Sequence, residues 1–261
     1  GSNPVGQKRT YQSSGPRISY DYQAPVREFG TLGTVMQETK KYNYFMNDFG
    51  PSLAPAIAYL PTSNQKRENL QWAVRTDGKS GYLFCSNILY RRHRQDFENV
   101  RFTVKLKDET LRIPRERITV SDKAYFLWPF NQPLGKALLK YATVQPVCSM
   151  KEGNETTYFF FEDDGIAGEY FLSAEGIDEV EAVHATCKKK KNGWFINALQ
   201  PGKDCIVTMN CSDGSIVRLV TLTEEESDHL WKGTNKGEEY VILTTSSLIC
   251  DGKNITLINE Q

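Results

Sequence analysis

The sequence predicts a mainly β protein, and three observations carry that prediction. Apolar and polar residues alternate with period two over much of the chain beyond Trp72. Turn pairs, Asn192-Gly193 and Asp251-Gly252, sit between such runs. Only one long stretch, near the start, carries the three- and four-residue spacing of a helix. Repeated short strands joined by turns give an antiparallel β-sandwich-like region or several packed sheets. A strand and a helix precede it, and one short helix interrupts it.

In chain order, residues 1–17 are polar, with Gly6, Gly15 and Pro16, and read as an irregular lead-in. Residues 18–22 read as a short strand. From Thr31 to Phe49, Leu32, Val35, Met36, Thr39, Tyr42, Phe45, Met46 and Phe49 fall on one helical face. Gly50-Pro51 should end that helix, glycine by capping it and proline by forbidding continuation. A strand followed by an amphipathic helix is half of a βα unit and needs a sheet to pack on. Without its partner sheet the apolar face must dock on the β region, bind another copy of the chain, or fray. We therefore divide the chain into 1–60, holding this unit, and 61–261, an antiparallel β domain with room for two packed sub-domains.

In the second part, Val100, Phe102, Val104 and Leu106 alternate with Arg101, Thr103 and Lys105, the pattern of a half-buried antiparallel strand. Tyr82 to Tyr90 and Thr157 to Phe161 are apolar on both faces and read as central strands. Val183, Ala185 and Cys187 alternate with His184 and Thr186 before Asn192-Gly193 turns the chain into Trp194. Asp251-Gly252 does the same between strands around Ile249 and Ile255. Thr223 with Glu226 forms a capping box, so a helix should start there and reach about Lys232. Its flanks predict strand, short helix, strand.

Composition excludes several function classes. Lys plus Arg and Asp plus Glu both number 32 in the 261 residues, so no global field argues for nucleic acid or an anionic membrane. Apolar runs are far shorter than the roughly 18 residues of a membrane-spanning helix. Cys85, Cys148, Cys187, Cys205, Cys211 and Cys250 lack C-x-x-C spacing and interleaved histidines, so neither metal nor cofactor is expected. Their even number permits disulfides, but Cys85, Cys187 and Cys250 sit in apolar strand patterns that favour free thiols.

The stretch Ser19-Tyr20-Asp21-Tyr22-Gln23-Ala24-Pro25, with Glu28 and Gly30 after it, resembles the S-Y-D-Y-x-A-P-x-x-E-x-G signature of the β-galactosidases of glycoside hydrolase family 35. Further likenesses follow in order: Gly81 to Asn87, Trp128-Pro129-Phe130-Asn131, Tyr141 to Pro146, and Val220-Thr221-Leu222-Thr223 leading to Leu230-Trp231. The resemblance spans residues 18–261. It implies that residues 1–60 carry the last strand and helix of a (β/α)8 barrel, and that the rest is the β region after it. It also implies a secreted or periplasmic parent protein.

Retaining glycosidases need two carboxyl groups about 5 to 5.5 Å apart. In this family they come from barrel strands that precede the Y-D-Y motif, so the resemblance implies that this chain lacks both and hydrolyses nothing alone. Tyr20 and Tyr22 match the tyrosines that line the sugar pocket. Two uses stay open for them, contact with substrate in an intact enzyme or simple packing. The implied partners are the rest of the barrel or another copy of the chain, with a galactoside or glycan as ligand; neither nucleic acid nor a membrane is expected.

Other candidates reduce to bland readings. Glu162-Asp163-Asp164 with Gly165 reads as a solvated hairpin tip, Lys188 to Lys191 as a wet hairpin end, and Arg91 to Arg94 as a basic cluster without the aromatics of a single-strand binder. The main rival function is an autonomous carbohydrate-binding β-sandwich using Trp72, Trp128, Trp194 and Trp231. Exposed, coplanar tryptophans would favour that module, and buried ones a scaffold.

Overall fold

A computed structural model describes residues 24–27, 32–251 and 253–258. Tyr20 and Tyr22, and the strand expected over 18–22, lie outside the described residues. The described chain is mainly β with antiparallel sheets, as the alternation predicts.

Helix α1 runs Thr34–Leu53 and is followed by β1 (Ile57–Tyr59), β2 (Gln71–Thr76), β3 (Gly81–Ser86), β4 (Phe97–Lys105) and β5 (Thr110–Val120). Next come β6 (Tyr125–Leu134), β7 (Ala137–Ala142), β8 (Gln145–Glu152), β9 (Glu155–Phe161), β10 (Tyr170–Ser173), β11 (Ile177–Val183) and β12 (Thr186–Lys190). The remainder is β13 (Gly193–Asn197), β14 (Ile206–Cys211), β15 (Ile216–Leu222), α2 (Glu224–Asp228), β16 (Leu230–Asn235), β17 (Glu238–Leu243), β18 (Ser247–Cys250) and β19 (Ile255–Ile258). The described residues form two compact units: 45–227, and those of 1–44 together with those of 228–261.

In the larger unit, an eight-stranded sheet of order β1-β2-β3-β6-β7-β10-β13-β12 faces a five-stranded sheet of order β11-β14-β15-β9-β8. The sandwich core between them includes Leu139, Tyr170, Leu172, Ile196, Val207, Met209 and Leu219, all fully buried. All pairs in both sheets are antiparallel except one: β15 lies parallel to β9, from Ile216 beside Glu155 to Leu222 beside Phe161. The β4–β5 hairpin packs over the other end of the large sheet, where Phe102, Val104 and Ile113 meet Leu83, Phe126 and Trp128. Phe126 and Trp128 stack with ring centroids 3.8 Å apart.

The end of α1 docks on the β region, one of the three outcomes its apolar face allowed. Phe45, Phe49 and Leu53 bury against Tyr82, with Phe84, Leu127 and Tyr158 around them. Asp48 helps fix the helix by accepting from the Ser149 amide at 2.6 Å. The predicted face is rotated, however. Tyr42 and Met46 are half exposed, while Lys40 and Lys41 are buried. The helix also passes through Gly50-Pro51 to Leu53, although Pro51 has no N–H to give to the Asn47 carbonyl. The last turn is kept by the Ala54 amide on the Gly50 carbonyl and the Ser52 hydroxyl on that of Phe49.

Three further expectations are corrected. The run Val183 to Cys187 is not one strand: His184 takes a positive φ of 54°, and there the chain leaves the five-stranded sheet in β11 for the eight-stranded sheet in β12. Val183 is accordingly half exposed rather than core. The apolar strand from Tyr82 stops at Ser86, leaving Tyr90 81% exposed in a loop. Helix α2 ends at Asp228, because Leu230–Asn235 pairs with β17. The capping box itself forms, with Glu226 N donating to Thr223 Oγ1 at 3.0 Å and Thr223 N donating to Glu226 Oε2 at 3.1 Å.

In the smaller unit, the two hairpins β16–β17 and β18–β19 accompany the first part of α1. The second closes where Asp251-Gly252 predicts it, Asp251 Oδ1 accepting from the amides of Lys253 and Asn254 at 2.8 and 2.7 Å. Among the described residues no helix is long and apolar enough to cross a membrane.

Candidate functional site

Hydrolysis of a glycoside needs carboxyl groups presented to a cavity, so the buried acids come first. Glu162, Asp163 and Glu169 belong to the segment that carries the chain from β9 in one sheet to β10 in the other. This segment is not the solvated hairpin tip expected from Glu162-Asp163-Asp164; only Asp164 and Gly165 are exposed at its start. The physical reason is connectivity, since a crossing between two sheets must pass over their shared core.

Each acid is engaged by the fold. Asp163 accepts from the Gln145 amide and, at 3.4 Å, from the Trp128 indole. Glu162 Oε2 accepts from the Gly168 amide at 2.6 Å. Glu169 Oε1 accepts from the Arg115 amide at 2.6 Å and the Tyr141 hydroxyl at 2.9 Å. Burial is the largest cause of a raised pKa in all three, and it pushes Asp163 up to about 7. The arrangement pins a loop and presents no paired acid and base to an open cavity.

In the smaller unit, α1, β16 and the β17–β18 connection enclose a cavity of about 340 Å³ lined by Met36, Gln37, Lys40, His229, Trp231 and Ser247 among others. Lys40 is only 2% exposed, and its Nζ stands 3.8 Å from the centroid of the Trp231 ring without a hydrogen-bond partner. Burial is the main reason its pKa falls to about 8, opposed by the charge of Asp228. Lys41 beside it ion-pairs with Asp228 at 2.6 Å. Periodicity alone missed both lysines, because they fall where the helical stripe seemed to be polar.

The tryptophans bear on the choice between scaffold and sugar platform. Trp128 is fully buried, and Trp72, Trp194 and Trp231 are all partly buried. Trp72 packs edge-on to Phe102 at 5.2 Å, and Lys189 covers Trp194 at 4.7 Å. No two of them form an exposed coplanar pair. Among the cysteines, Cys85, Cys187, Cys205 and Cys211 are free thiols, with burial pushing Cys85 up to about 12. Among the described residues no group of three or more His, Cys, Asp or Glu is placed to hold a metal ion. No family model matches this chain, and no curated protein matches it.

Proposed function

We propose that this chain is a non-catalytic, β-rich portion of a β-galactosidase-like glycoside hydrolase, which packs on the catalytic barrel and supports it. The observation that carries this reading is the ordered series of likenesses, from Ser19-Tyr20-Asp21-Tyr22 through Trp128-Pro129-Phe130-Asn131 to Leu230-Trp231. Under it, Tyr20 and Tyr22 face the sugar in the intact enzyme, and the two catalytic carboxylates belong to other barrel strands.

Two structural features support a supporting role. The buried acids serve the β9–β10 crossing, and the tryptophans serve packing. In addition, the edge strand β1 leaves Ile57 63% and Tyr59 58% exposed, with Leu60 beside them at 69%. An uncovered apolar sheet edge is a surface that proteins cover with a partner. Here the partner is the barrel.

The test uses the purified chain, a chromogenic β-galactoside, a neutral galacto-oligosaccharide, and a family 35 barrel trimmed of its own β region. The expected result is no turnover, no oligosaccharide binding, and a complex with the barrel in sedimentation. Turnover that survives purification would sink the proposal. Binding of the neutral oligosaccharide without a barrel complex would favour the autonomous carbohydrate-binding module instead.

A further inference from the structure

Strand β5, the face of the eight-stranded sheet and the tip of the β12–β13 hairpin bound a groove of about 790 Å³ in the larger unit. Five cations line it, Arg112, Arg115, Lys140, Lys190 and Lys191, against one carboxylate, Glu109. That carboxylate is already matched. Lys140 Nζ donates to both Glu109 oxygens at 2.7 Å, and Asn131 Nδ2 adds a third bond at 2.7 Å. Burial alone would raise the Glu109 pKa, but these bonds hold it below its usual value. Of the neighbouring acids, Glu116 reaches Arg115 Nε only at 3.8 Å and is 86% exposed, while Glu169 is turned to the Arg115 amide and the Tyr141 hydroxyl. On a chain whose formal charge sums to zero, this groove therefore concentrates positive charge.

Its floor is aromatic, and strand register explains why. Tyr141 on β7 stands opposite Phe171 on β10, and Phe171 stands opposite Phe195 on β13. Side chains directly opposite share a face, so the three rings form one row across adjacent strands. At about 4.8 Å per strand the row is roughly 10 Å long. Tyr141 and Phe195 are 7% and 6% exposed, and the Arg115 guanidinium lies 4.8 Å from the Phe195 centroid. Phe171 between them is only partly buried. A guanidinium over a ring face still has N–H donors for a carboxylate, which it can bind with two parallel bonds.

We propose that this groove binds an acidic oligosaccharide, with uronate carboxylates on Arg112, Arg115, Lys190 and Lys191 and the apolar face of a sugar on Phe171. One accessible ring, Phe171, among four cations suits a short acidic sugar better than a nucleic acid, whose successive bases need a series of exposed rings. The site goes beyond the barrel-supporting role and does not rest on it.

The experiment is calorimetric titration of the full chain with a tetrameric oligogalacturonate, and with a neutral galacto-oligosaccharide, a single-stranded oligonucleotide and sodium sulfate as comparisons. Oligogalacturonate should bind, more weakly as salt is raised. The exposed double substitution Lys190→Glu/Lys191→Glu should weaken it about tenfold or more while leaving the unfolding midpoint in place. Absence of oligogalacturonate binding, equal binding by the double variant, or tighter binding of the oligonucleotide or neutral sugar would overturn the proposal. So would sulfate as strong a ligand as the oligosaccharide, which would mark an unspecific anion site.

Discussion

Substituting Asp163 by Asn should change how stability depends on pH. The Asp163 carboxyl lies in the β9–β10 crossing, pushed up from 3.8 to about 7 chiefly by burial, with Gln145 and Trp128 hydrogen bonds opposing and the charges of Glu224 and Glu162 adding to the rise. A raised carboxyl pKa means that between about pH 4 and 7 the native state holds a proton that the unfolded chain releases. Stability from this group is thus fully present below about pH 4 and is lost as pH rises toward 7. At about 1.4 kcal/mol per unit, three units give roughly 4 kcal/mol, an upper bound because the loop can relax toward water. Asparagine keeps an acceptor for Gln145 but turns an amide toward the Trp128 indole, a penalty of about 1 kcal/mol that does not vary with pH. The stability of the variant minus that of the parent should therefore climb steadily from pH 4.5 to pH 7.5 and level off above. Urea unfolding followed by far-ultraviolet circular dichroism at each pH measures it. Parallel profiles for the two proteins, or a difference that falls with pH, would refute the assignment of a buried, high-pKa acid at this position.

Lys40→Met should stabilise the protein at pH 7, because it replaces a buried ammonium that lacks a hydrogen-bond partner by an isosteric apolar chain. The parent's Lys40 pKa is lowered to about 8, so its stability should rise between pH 8 and 10.5, and thermal melts of the variant should lose that rise. Gly193→Ala should destabilise by about 2 kcal/mol or more in urea titration, since an added Cβ would lie 1.9 Å from the Leu172 carbonyl oxygen and force β10 and β13 apart. Thr223→Ala removes one half of the capping box and should cost about 1 kcal/mol in the same assay.

Gly193 illustrates what a sequence can and cannot reveal. Asn192-Gly193 correctly marked a hairpin, yet the two turn residues are Lys191 and Asn192, and Gly193 already pairs with Lys190 at the start of β13. The glycine is needed by the neighbouring strand rather than by the turn. Local signals such as the capping box and the Asp251 turn were legible because their partners lie within a few residues. The β16–β17 hairpin was legible too, through Asn235-Lys236-Gly237, where Lys236 and Gly237 take φ of 52° and 86° to make a tight turn of the primed kind. The helix expected as far as Lys232 overlaps only the first residues of β16, which is enough to hide its pairing with β17. The crossing at His184 and the parallel β9–β15 pair depend on which sheet a strand joins, a choice made by the whole core. The aromatic row of the cationic groove joins Tyr141, Phe171 and Phe195 across 54 positions of sequence, and only register brings them together.

The same distinction bears on the acids. Raised carboxyl pKa values are a mark of glycosidase active sites, so Glu162, Asp163 and Glu169 invite a catalytic reading. Their partners support a structural use instead. A general acid needs an oxygen directed to a cavity where a leaving group can sit. Here, both Asp163 oxygens accept from side chains of the packed sheets, and Glu169 uses one oxygen for two donors drawn from β5 and β7. The perturbation follows from burying a chain crossing over two cores, with the acids holding it there. Their neutralisation should stabilise the fold, whereas a catalytic pair tuned in this way would lose activity. Burial raises the pKa of a structural and of a catalytic acid alike, so what bears on the role of Asp163 is where its oxygens point, one to Gln145 and one to Trp128.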